Sequence, residues 1–453
     1  MDKTIKKIRK AIENTEFEGK VYLVGGYVRD KLMKRKDTTD IDIVVELCNG
    51  GERLANFLHK QGLSSQPKIY KRFGTAQIRM DSCVIEMVMT RNESYRQNTR
   101  NPEVNHASLK EDIFRRDFTV NSLAVNLSSS KILDLTDKGR RDIKAGKIRA
   151  VSEPDKIFSE DPLRMLRAVR FAVKLGFEIE KNTESGIKNN YYRVKILAKE
   201  RIRDEFIKML RSPEPARAIR LLKNYKILEL IFPEFKKIYD MKQNKYHYED
   251  VFEHSLSVIK KMPNDLVLRL AALFHDIGKG RTKTEEKGKV HFYKHEKISA
   301  EITTDCLKRI KINKKNIKNI NRIIKNHMIL KPYSNDLKEL KDKKVRKIMM
   351  NLSDVLEDTL ILIDADNNSH ADKYRKPDQI NNFKERMDKI REKQKFKLNL
   401  PVTGYDIMKF FQIKEGKVVG EYLEKAKNIY LENPNLNKDE ILAILKEKKQ
   451  NKE

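Results

Sequence analysis

A two-glycine turn followed by a pair of aspartates is the feature that most constrains the fold of this 453-residue chain. The segment reads VYLVGGYVRDKLMKRKDTTDIDIVV. Val21–Val24 is apolar and β-prone, which predicts a strand, and Gly25 and Gly26 then permit a tight turn with close backbone approach. We expect a helix from about Tyr27, and the N–H groups at its N-terminus can hold an anion such as a triphosphate.

The two aspartates stand in a second predicted strand, from Asp40 to Val45. Residues two apart on a strand face the same side, so Asp40 and Asp42 project together. Ile41 and Ile43 then point into the core. Paired carboxylates beside a phosphate-binding turn suit nucleotidyl transfer by two Mg²⁺ ions, which lie roughly 3.5–4 Å apart. The alternative is that the aspartates are only the solvent-facing side of an ordinary strand.

The chain is strongly basic, with 97 Lys and Arg against 66 Asp and Glu and a net charge of +31. Such a charge favours a phosphate-rich partner. We expect a folded RNA held through its shape and phosphates rather than a sequence-specific contact. Genome composition would explain the preference for Lys over Arg, but it does not explain the deficit of acids.

Targeting and redox features predict a cytoplasmic protein without a membrane segment. The start, MDKTIKKIRK, is charged and lacks the apolar stretch of a secretory signal. No run approaches the roughly 20 apolar residues of a membrane span. Cys48, Cys83 and Cys306 are far apart, which excludes a disulfide framework and a cysteine zinc site.

The pattern of secondary structure changes near residue 150. Before it, strands and helices are mixed; from about residue 151 onward the pattern is helical, so the chain is predicted to be α+β. The strand candidates are Val21–Val24, Asp40–Val45, Thr75–Met80, Val84–Met89, Thr119–Asn126 and Ile132–Asp134.

Glu86 lies in an apolar strand segment, VIEMVM, where an unpaired charge is costly. It is a candidate third carboxylate facing Asp40 and Asp42. A strand-end Glu paired with a Lys or an Arg is the alternative.

The segment Asp112–Ala124, DIFRRDFTVNSLA, carries polar groups suited to a nucleotide. Arg115 and Arg116 offer fork-shaped donors for phosphate or ribose. Asp117 and Asn121 can bond ribose hydroxyls or hold those arginines in place. The alternative is a helix start stabilised by local ion pairs.

The segment Ser159–Phe177, SEDPLRMLRAVRFAVKLGF, predicts a helix with Pro162 in its first turn and apolar residues at helical spacing. Asp161 and Arg164 are three apart, which places them together on a polar face. An Asp acceptor beside an Arg donor can imitate a base edge. Cytosine and adenine offer the matching amine and ring acceptor, whereas uracil and guanine present a carbonyl oxygen to the carboxylate. A plain intrahelical ion pair is the alternative.

A second group of histidines and carboxylates is spread over the later helical segments. Its members are His254, His275, Asp276, His295, His327 and Asp366. In LAALFHDIGKG an apolar helix ends at the adjacent His275 and Asp276, and Gly278 stops it. Imidazole and carboxylate ligands suit Mn, Fe, Ni, Zn or Mg with water as the nucleophile, although a single His on a helix is usually a core or surface residue.

The order of five motifs resembles a known family, the class II tRNA nucleotidyltransferases, which comprise bacterial CCA-adding enzymes and their poly(A) polymerase relatives. The motifs are GGYVRD, DID, RRDFTVNSLA, SEDPLRMLRAVRF and ERIRDEF, within residues 18–235. The segment from about 245 to 370 resembles the HD phosphohydrolase domain. PVTGYDIMKFFQIKEGKVVGEYL resembles the closing helical unit of the same proteins.

The resemblance implies an architecture in four parts. A DNA polymerase beta-like nucleotidyltransferase head would occupy residues 1–150, and an all-α neck carrying the nucleotide template would occupy 151–235. The HD domain would follow at 236–375 and a helical tail at 376–453.

The resemblance also implies roles for individual residues. Asp40, Asp42 and Glu86 would be catalytic, and the two aspartates would bind Mg²⁺. The nucleotide-binding residues would be Gly25, Gly26, Arg29, Arg115, Arg116, Asp117, Asn121, Asp161, Arg164 and Arg167. Asp161 and Arg164 would form the protein template for CTP and ATP, supported by Glu160 and Arg167, and Glu200 and Arg201 would stabilise the neck.

In the HD segment the resemblance implies a divalent metal of undetermined identity. The expected ligands are His254, His275, Asp276 and Asp366, with His295 and His327 completing a second site. Asp364, two residues before Asp366, is a competing candidate for the last ligand.

The resemblance implies addition of CCA to tRNA 3′ ends from CTP and ATP without a nucleic-acid template. Glu86 stands where relatives commonly have Asp, and its longer side chain still reaches. The loop within residues 96–112 keeps its full length, which argues against an enzyme that adds only CC. An A-adding enzyme or a poly(A) polymerase is the alternative within the family. An HD phosphohydrolase with an RNA-binding head is the alternative of another class, and the oligomeric state stays open.

Overall fold

The computed structural model describes residues 2–35, 40–70, 74–94, 103–242, 249–287, 289–393 and 396–450. The expected loop for switching to ATP lies partly outside these residues. The chain divides into two compact units, Met1–Ile231 and Phe232–Glu453.

The first unit begins with a mixed sheet and its helices. The strands are β1 Val21–Val24, β2 Asp40–Val45, β3 Lys68–Tyr70, β4 Thr75–Met80, β5 Cys83–Met89, β6 Arg91–Ser94, β7 Glu103–His106, β8 Ala124–Asn126 and β9 Ile132–Leu133. The helices are α1 Asp2–Ile12, α2 Gly26–Leu32, α3 Gly50–Lys60, α4 Leu109–Phe114 and α5 Gly139–Ala145. Seven strands form one sheet in the order β3-β4-β5-β2-β1-β8-β9, and β6 pairs with β7.

The alternation of side chains along β2 explains which face of this sheet is buried. Ile41 and Ile43 are 0% and 1% exposed in the main core, as predicted. On the opposite face Val44 packs in a smaller apolar cluster with Val24. Asp42 pairs with Val24 across the antiparallel β1–β2 ladder, so the acidic residue borders that cluster at the end of β1.

One strand prediction is wrong in its first half. Thr119–Asn126 was expected to be extended, but Thr119–Asn121 is a turn of 3-10 helix and β8 starts only at Ala124. Asp117 Oδ1 accepts from the Phe118 N–H at 2.8 Å and from Asn121 Nδ2 at 3.1 Å. Such local side-chain bonds compete with the ladder of a strand.

The rest of the first unit is mainly helical, in agreement with the predicted α+β class. Its helices are α6 Pro154–Glu160, α7 Leu163–Leu175, α8 Lys181–Asn190, α9 Lys199–Leu210, α10 Pro215–Asn224 and α11 Leu228–Ile231. A 3-10 helix spans Tyr191–Ile196. Two short strands that were not predicted, β10 Lys147–Ile148 and β11 Glu178–Ile179, form a parallel pair.

The second unit is a helical assembly with one hairpin. Its helices are α12 Val251–Lys261, α13 Leu266–Phe274, α14 Lys279–Thr282, α15 His295–Arg309, α16 Lys314–Asn326, α17 Asp342–Leu352, α18 Leu356–Asn367, α19 Gln379–Lys393, α20 Gly404–Phe411, α21 Lys417–Glu432 and α22 Lys438–Gln450. The hairpin is β12 Lys283–Glu286 with β13 Lys289–Phe292, and 3-10 turns span Pro233–Lys237 and Asp372–Tyr374. Among the described residues, no helix has the length and apolarity needed to span a membrane.

Candidate active sites

The carboxylates of the first unit lie on the face of the sheet that is turned away from the main core. β2 and β5 run parallel, and their register pairs Asp42 with Glu86. Asp42 is half-buried and Glu86 is exposed, whereas their neighbours along each strand are buried. Asp40 begins β2, and its side chain lies outside the described part of the structure. Strand register therefore brings the second and third predicted carboxylates side by side.

The glycine turn stands directly against this acidic face. Gly25 has φ +70°, a conformation that L side chains rarely adopt. A Cβ atom at Gly25 would lie 3.1 Å from Asp42 Oδ2, so a side chain there would occupy the space in front of the carboxylate. A hard cation with oxygen ligands fits this donor set, because the turn leaves the carboxylate approachable.

A chain of side-chain hydrogen bonds runs from Arg29 in α2 to Arg167 in α7. Arg29 is 2% exposed; its Nε donates to Asp30 Oδ1 at 2.8 Å and its Nη1 to Asn121 Oδ1 at 2.5 Å. Asn121 Nδ2 donates to Asp117 Oδ1 at 3.1 Å. Arg167 Nε and Nη2 lie 2.8 and 2.6 Å from Asp117 Oδ2. Four predicted site residues thus form one connected set, together with Asp30, which the sequence analysis did not single out.

The charge and the packing of this set are both defined. Burial favours the neutral acid, but the Arg167 guanidinium and the Asn121 amide outweigh it and hold the pKa of Asp117 below its ordinary value. The guanidinium carbons of Arg29, Arg167 and Arg170 lie 5.5, 5.3 and 4.1 Å from the centre of the Phe171 ring. The Phe171 ring therefore packs against two arginines of the connected set, Arg29 and Arg167, and against the neighbouring Arg170.

Arg115 and Arg116 converge on a residue whose role the sequence analysis missed. Arg115 Nη2 and Arg116 Nη2 lie 2.6 and 2.8 Å from the two oxygens of Asp112, which is fully buried. Burial opposes ionisation, but the guanidinium groups of Arg116 and Arg115 hold the pKa of Asp112 below its ordinary value. The i,i+3 and i,i+4 spacing on a helix could have identified this contact. Local ion pairs, the alternative stated above, are therefore present.

Asp161 does not share a helix face with Arg164, which corrects the prediction. Helix α6 ends before Asp161, which is extended at φ −132° and ψ 96°, and α7 begins after Pro162. The reason is Pro162, because a proline disfavours the helical conformation of the residue before it. Asp161 Oδ1 accepts from the Leu163 N–H at 3.1 Å, and Oδ2 lies 3.4 Å from Arg201 Nη2.

Arg164 is held by the backbone of the nucleotide-binding segment. Its Nη2 donates to the Arg115 carbonyl oxygen at 2.6 Å. Its Nη1 is buried, lies 3.8 Å from Glu160 Oε2 and has no hydrogen-bond partner within the described residues. A buried donor in that state is expected to meet an acceptor supplied by a ligand or by water.

In the second unit the predicted histidines and carboxylates come together in two buried trios. The first trio is His254, His275 and Asp366, and the second is Asp276, His295 and His327. In each trio one nitrogen or oxygen atom per residue lies within 4.8 Å of the others. All six residues are at most 5% exposed. Each trio supplies the number and type of donors that a metal ion takes from a protein.

The two trios are adjacent through Asp276. Its Oδ1 lies 3.2 Å from His295 Nε2, and its Oδ2 lies 3.2 Å from His275 Nε2 of the first trio. His254 Nε2 lies 2.9 Å from Asp366 Oδ1. Asp276 therefore has one oxygen toward each trio.

The histidine rings are oriented by backbone carbonyls. The Nδ1 atoms of His275, His295 and His327 lie 2.8, 2.9 and 2.7 Å from the carbonyl oxygens of Ala272, Phe292 and Ile324. A proton on Nδ1 leaves the Nε2 lone pair directed into the cluster, which is the arrangement usual for metal-binding histidines. His275 Nε2 is buried and lacks hydrogen-bonding geometry to any described residue, so a metal would satisfy it.

The protonation of His327 and Asp366 fits ligation, whereas at His275 burial is outweighed by the neighbouring Asp276, which raises the pKa of the imidazole. Burial, together with His275 and His295, lowers the pKa of His327 to about 3. Burial opposes ionisation of Asp366, but Lys331 and His254 hold its pKa well below the ordinary value. Neutral imidazole and ionised carboxylate are the forms that bind metal.

The structure separates the two candidates for the last ligand. Asp366 is 5% exposed among the histidines. Asp364 is half-buried, accepts from Asn368 Nδ2 at 3.1 Å and lines a cleft of about 330 Å³ with Lys261 and Lys384. The donor set near the histidines therefore contains Asp366.

Three further residues at this centre were missed by the sequence analysis. Lys279 Nζ lies 2.7 Å from Asp276 Oδ2, and Lys331 Nζ lies 3.8 Å from Asp366 Oδ2. His370 Nε2 lies 2.6 Å from Lys331 Nζ. The spacing of His370, one helical turn after Asp366, was a signal for it, whereas nothing local marks Lys331.

Family models match three segments of the chain. They are "Poly A polymerase head domain" at residues 21–149, "Probable RNA and SrmB- binding site of polymerase A" at 176–239 and "HD domain" at 246–366. The chain therefore carries segments that match a poly(A) polymerase head domain, a polymerase RNA-binding site and an HD domain. The predicted resemblance to these proteins and the predicted fold class are thereby confirmed.

Relatives of this chain differ in the nucleotides they are named for. The A-adding tRNA nucleotidyltransferase of Deinococcus radiodurans is 34% identical over 57% of this chain and 60% of its own length. The CCA-adding enzyme of Lactobacillus helveticus is 35% identical over 57% of this chain and 63% of its own length. The matched part thus spans less than two thirds of either relative, and the two names leave the added nucleotides undecided.

A solved structure extends the likeness of fold to nearly the whole chain. The CCA-adding enzyme of Bacillus stearothermophilus in complex with CTP covers 99% of this chain and 98% of its own, with a TM-score of 0.70 and 22% identity. At that identity the likeness concerns the fold alone.

Proposed function

We propose that the chain adds CCA to the 3′ ends of tRNA from CTP and ATP, without a nucleic-acid template. The observation that carries the proposal is the acidic face of the sheet, where Asp42 and Glu86 are register partners and Gly25 leaves room in front of the Asp42 carboxylate. The net charge of +31 suits a tRNA partner. The names of relatives fit nucleotide addition to tRNA.

Asp40 and Asp42, with Glu86, would hold Mg²⁺ at this face. When bound, Mg²⁺ would neutralise charge on the triphosphate and favour ionisation of the primer hydroxyl. The 3′-hydroxyl oxygen of the tRNA forms the new bond to the α-phosphorus of the nucleotide. The bond from that phosphorus to the bridging oxygen breaks, and pyrophosphate leaves. The chain's own contribution is charge placement and orientation of the two reactants.

The connected set from Arg29 to Arg167 would position the nucleotide sugar. We assign Asp117 and Asn121 to the ribose. Arg29 is buried behind the turn, so we assign it the task of holding Asn121 rather than a direct contact with nucleotide. Arg115 and Arg116, at 21% and 18% side-chain exposure, retain surface for phosphate while Asp112 fixes them.

Base choice would come from Asp161 and Arg164. The buried Arg164 Nη1 lacks a hydrogen-bond acceptor among the described residues, and cytosine N3 or adenine N1 would supply one. The Asp161 carboxylate would accept from the exocyclic amine of either base. Arg201 holds that carboxylate from outside the α7 helix, so its orientation does not depend on an ion pair with Arg164.

Nucleotide-resolved end sequencing tests the proposed activity. Two tRNA transcripts, one ending at the discriminator base and one ending in CC, are incubated with CTP alone, ATP alone or both. The proposal predicts CC on the first with CTP alone, a single A on the second with ATP alone, and CCA with both. Addition of A without C identifies an A-adding enzyme, and a long A tail identifies a poly(A) polymerase.

We also propose a second activity, metal-dependent hydrolysis of a phosphate ester at the HD centre. The observation that favours it is the pair of adjacent trios around Asp276, with His Nε2 lone pairs directed inward. Divalent metals bound there would supply a hydroxide nucleophile near neutral pH. Loading the protein with Mn²⁺ and assaying a chromogenic phosphodiester and phosphomonoester tests it. Hydrolysis that chelation does not abolish would contradict the assignment.

We further propose the boundaries 1–150, 151–235, 236–375 and 376–453 for head, neck, HD domain and tail, and action in the cytoplasm. The free thiols of Cys48, Cys83 and Cys306 suit a reducing compartment.

A further inference from the structure

Two lysines approach the carboxylates of the HD centre, and they differ in their distance from the carboxylate and in their exposure to solvent. Lys279 Nζ forms a 2.7 Å ion pair with Asp276 and its side chain is 8% exposed. Lys331 Nζ lies 3.8 Å from Asp366 Oδ2, beyond hydrogen-bond length, and its side chain is 31% exposed. Lys279 is enclosed with its carboxylate, whereas Lys331 reaches both the cluster and solvent.

Lys331 is oriented by His370. His370 Nδ1 lies 3.2 Å from the Asn367 carbonyl oxygen, so the proton belongs on Nδ1 and Nε2 accepts from Lys331 Nζ at 2.6 Å. An ammonium group carries three N–H donors. His370 takes one of them, and no other hydrogen bond from Lys331 Nζ is present among the described residues. The Lys331 ammonium group therefore lies 3.8 Å from Asp366 Oδ2 with two donors that can serve a ligand.

The backbone around Lys331 is fixed by hydrogen bonds from the side chains of Lys376 and Gln379. Lys376 Nζ donates to the carbonyl oxygen of Lys331 at 2.9 Å and to that of Tyr333. Gln379 is fully buried, and its Nε2 donates to the Leu330 carbonyl oxygen at 3.1 Å. A side chain on a backbone fixed at several points is preorganised to meet a ligand.

We propose that Lys331, held by His370, binds a phosphoryl oxygen of the anionic group that enters the HD centre. The inference rests on the proposed hydrolase function of that centre and adds a residue that selects for anionic phosphorus groups. A cation beside metal-bound phosphate offsets the charge that remains on its oxygens, which the buried carboxylates would otherwise repel. Lys331 is a substrate-binding residue in this account, and His370 is a positioning residue.

The test uses the full-length protein loaded with Mn²⁺ and inorganic phosphate as the probe. Calorimetric titration measures phosphate affinity, and elemental analysis measures bound Mn²⁺. Lys331→Met is expected to weaken phosphate binding roughly tenfold or more while Mn²⁺ content stays at the wild-type level. Lys331→Arg is expected to retain most of the affinity, and His370→Ala to give an intermediate loss.

The control is Lys384→Met, which removes another lysine paired with α18, at 3.0 Å from Glu357 Oε2. It should leave phosphate affinity and Mn²⁺ content unchanged. Lys331→Met that binds phosphate as the wild type does would overturn the proposal. Loss of Mn²⁺ from Lys331→Met would also overturn it, because Lys331 would then be a counter-ion of Asp366. Absent binding of phosphate by the Mn²⁺-loaded wild type would do the same.

The two proposals fail separately. Phosphate binding that depends on Lys331, in a protein that hydrolyses neither phosphodiester nor phosphomonoester, would support the anion site and contradict the hydrolase. If the ester is hydrolysed, Lys331→Met should raise KM more than it lowers kcat. The melting temperature of Lys331→Met is compared with that of the wild type and of Lys331→Arg, which keeps the charge. This comparison shows whether a loss of phosphate binding reflects a loss of folding.

Discussion

The two centres bring carboxylates together in opposite ways. In the first unit, strand alternation puts Asp42 and Glu86 on the open face of a sheet, where Asp42 is half-buried and Glu86 is exposed. In the second unit, helices enclose carboxylates with histidines, and both Asp276 and Asp366 are at most 5% exposed. An open acidic face admits two large reactants, a nucleotide and an RNA end. An enclosed metal centre suits a small ester, so the difference predicts two chemistries with separate requirements.

The largest expected effect tests the open face. Asp42→Ala should lower incorporation of both CMP and AMP by roughly 10²–10³-fold or more, because the reaction loses its main charge stabilisation. tRNA affinity should stay near the wild-type value, since binding comes from the basic surface. Single-turnover incorporation and a filter-binding titration measure the two quantities. If Asp42→Ala incorporated nucleotides at the wild-type rate, the assignment of catalysis to the acidic face of the sheet would be wrong.

A second prediction concerns base choice. Asp161→Ala should lose roughly ten- to a hundredfold in preference for CTP over UTP, because the carboxylate that repels the uracil O4 is gone. Arg164→Ala should instead weaken CTP and ATP together. The values of kcat/KM for CTP, ATP and UTP on one tRNA primer decide it. Should Asp161→Ala keep the full preference, Asp161 is only a partner of Arg201.

A third prediction concerns the connected set behind the open face. Asp117→Ala leaves the Arg167 guanidinium without its carboxylate partner. Removing one partner of a buried ion pair should lower the free energy of unfolding by about 3 kcal/mol. This is the lower end of the usual range, because the Arg167 side chain is one third exposed. Scanning calorimetry should show this loss as a lower melting temperature for a single unfolding transition. Arg170→Ala, which breaks a pair with Glu205, serves as a control that should spare ribose discrimination. Equal use of dCTP and CTP by Asp117→Ala, but not by the control, is expected.

The smallest effect is pH-dependent. The pKa of Asp112 is lower in the folded state than in the unfolded chain, so its stabilisation is present above the ordinary value of about 3.9 and is lost as the pH falls below it. Asp112→Asn should therefore be less stable than the wild type at pH 7, and the gap should narrow below about pH 4. Melting temperatures at several pH values measure the gap. A gap that does not change between pH 7 and pH 3 would contradict the ion-pair explanation.

Local pattern predicted the elements better than it predicted contacts between them. Val21–Val24, Asp40–Val45 and Thr75–Met80 were predicted with their observed bounds, because apolar alternation and glycine turns are local signals. The pairing of Asp42 with Glu86 depends on the register of two strands that are distant in sequence. No local signal carries that register.

The misplaced residues have equally physical reasons. The spacing of Asp161 from Arg164 favours a shared helix, but Pro162 disfavours the helical conformation of the residue before it, and Asp161 is extended. The HD residues His254 and Asp366 were identified by residue type, and the structure brings them to 2.9 Å. Lys331 was missed because its approach to Asp366 comes from the path of the chain after α16.

The central claim, that nucleotide addition and metal-dependent hydrolysis belong to separate centres, is tested most directly by His275→Ala. The account predicts that this variant, with its bound Mn²⁺ lowered and ester hydrolysis lost, adds CMP and AMP to tRNA at the wild-type rate. Asp42→Ala should show the reverse pattern in the same assays. A His275→Ala protein that remains folded by circular dichroism yet no longer adds nucleotides would contradict the separation.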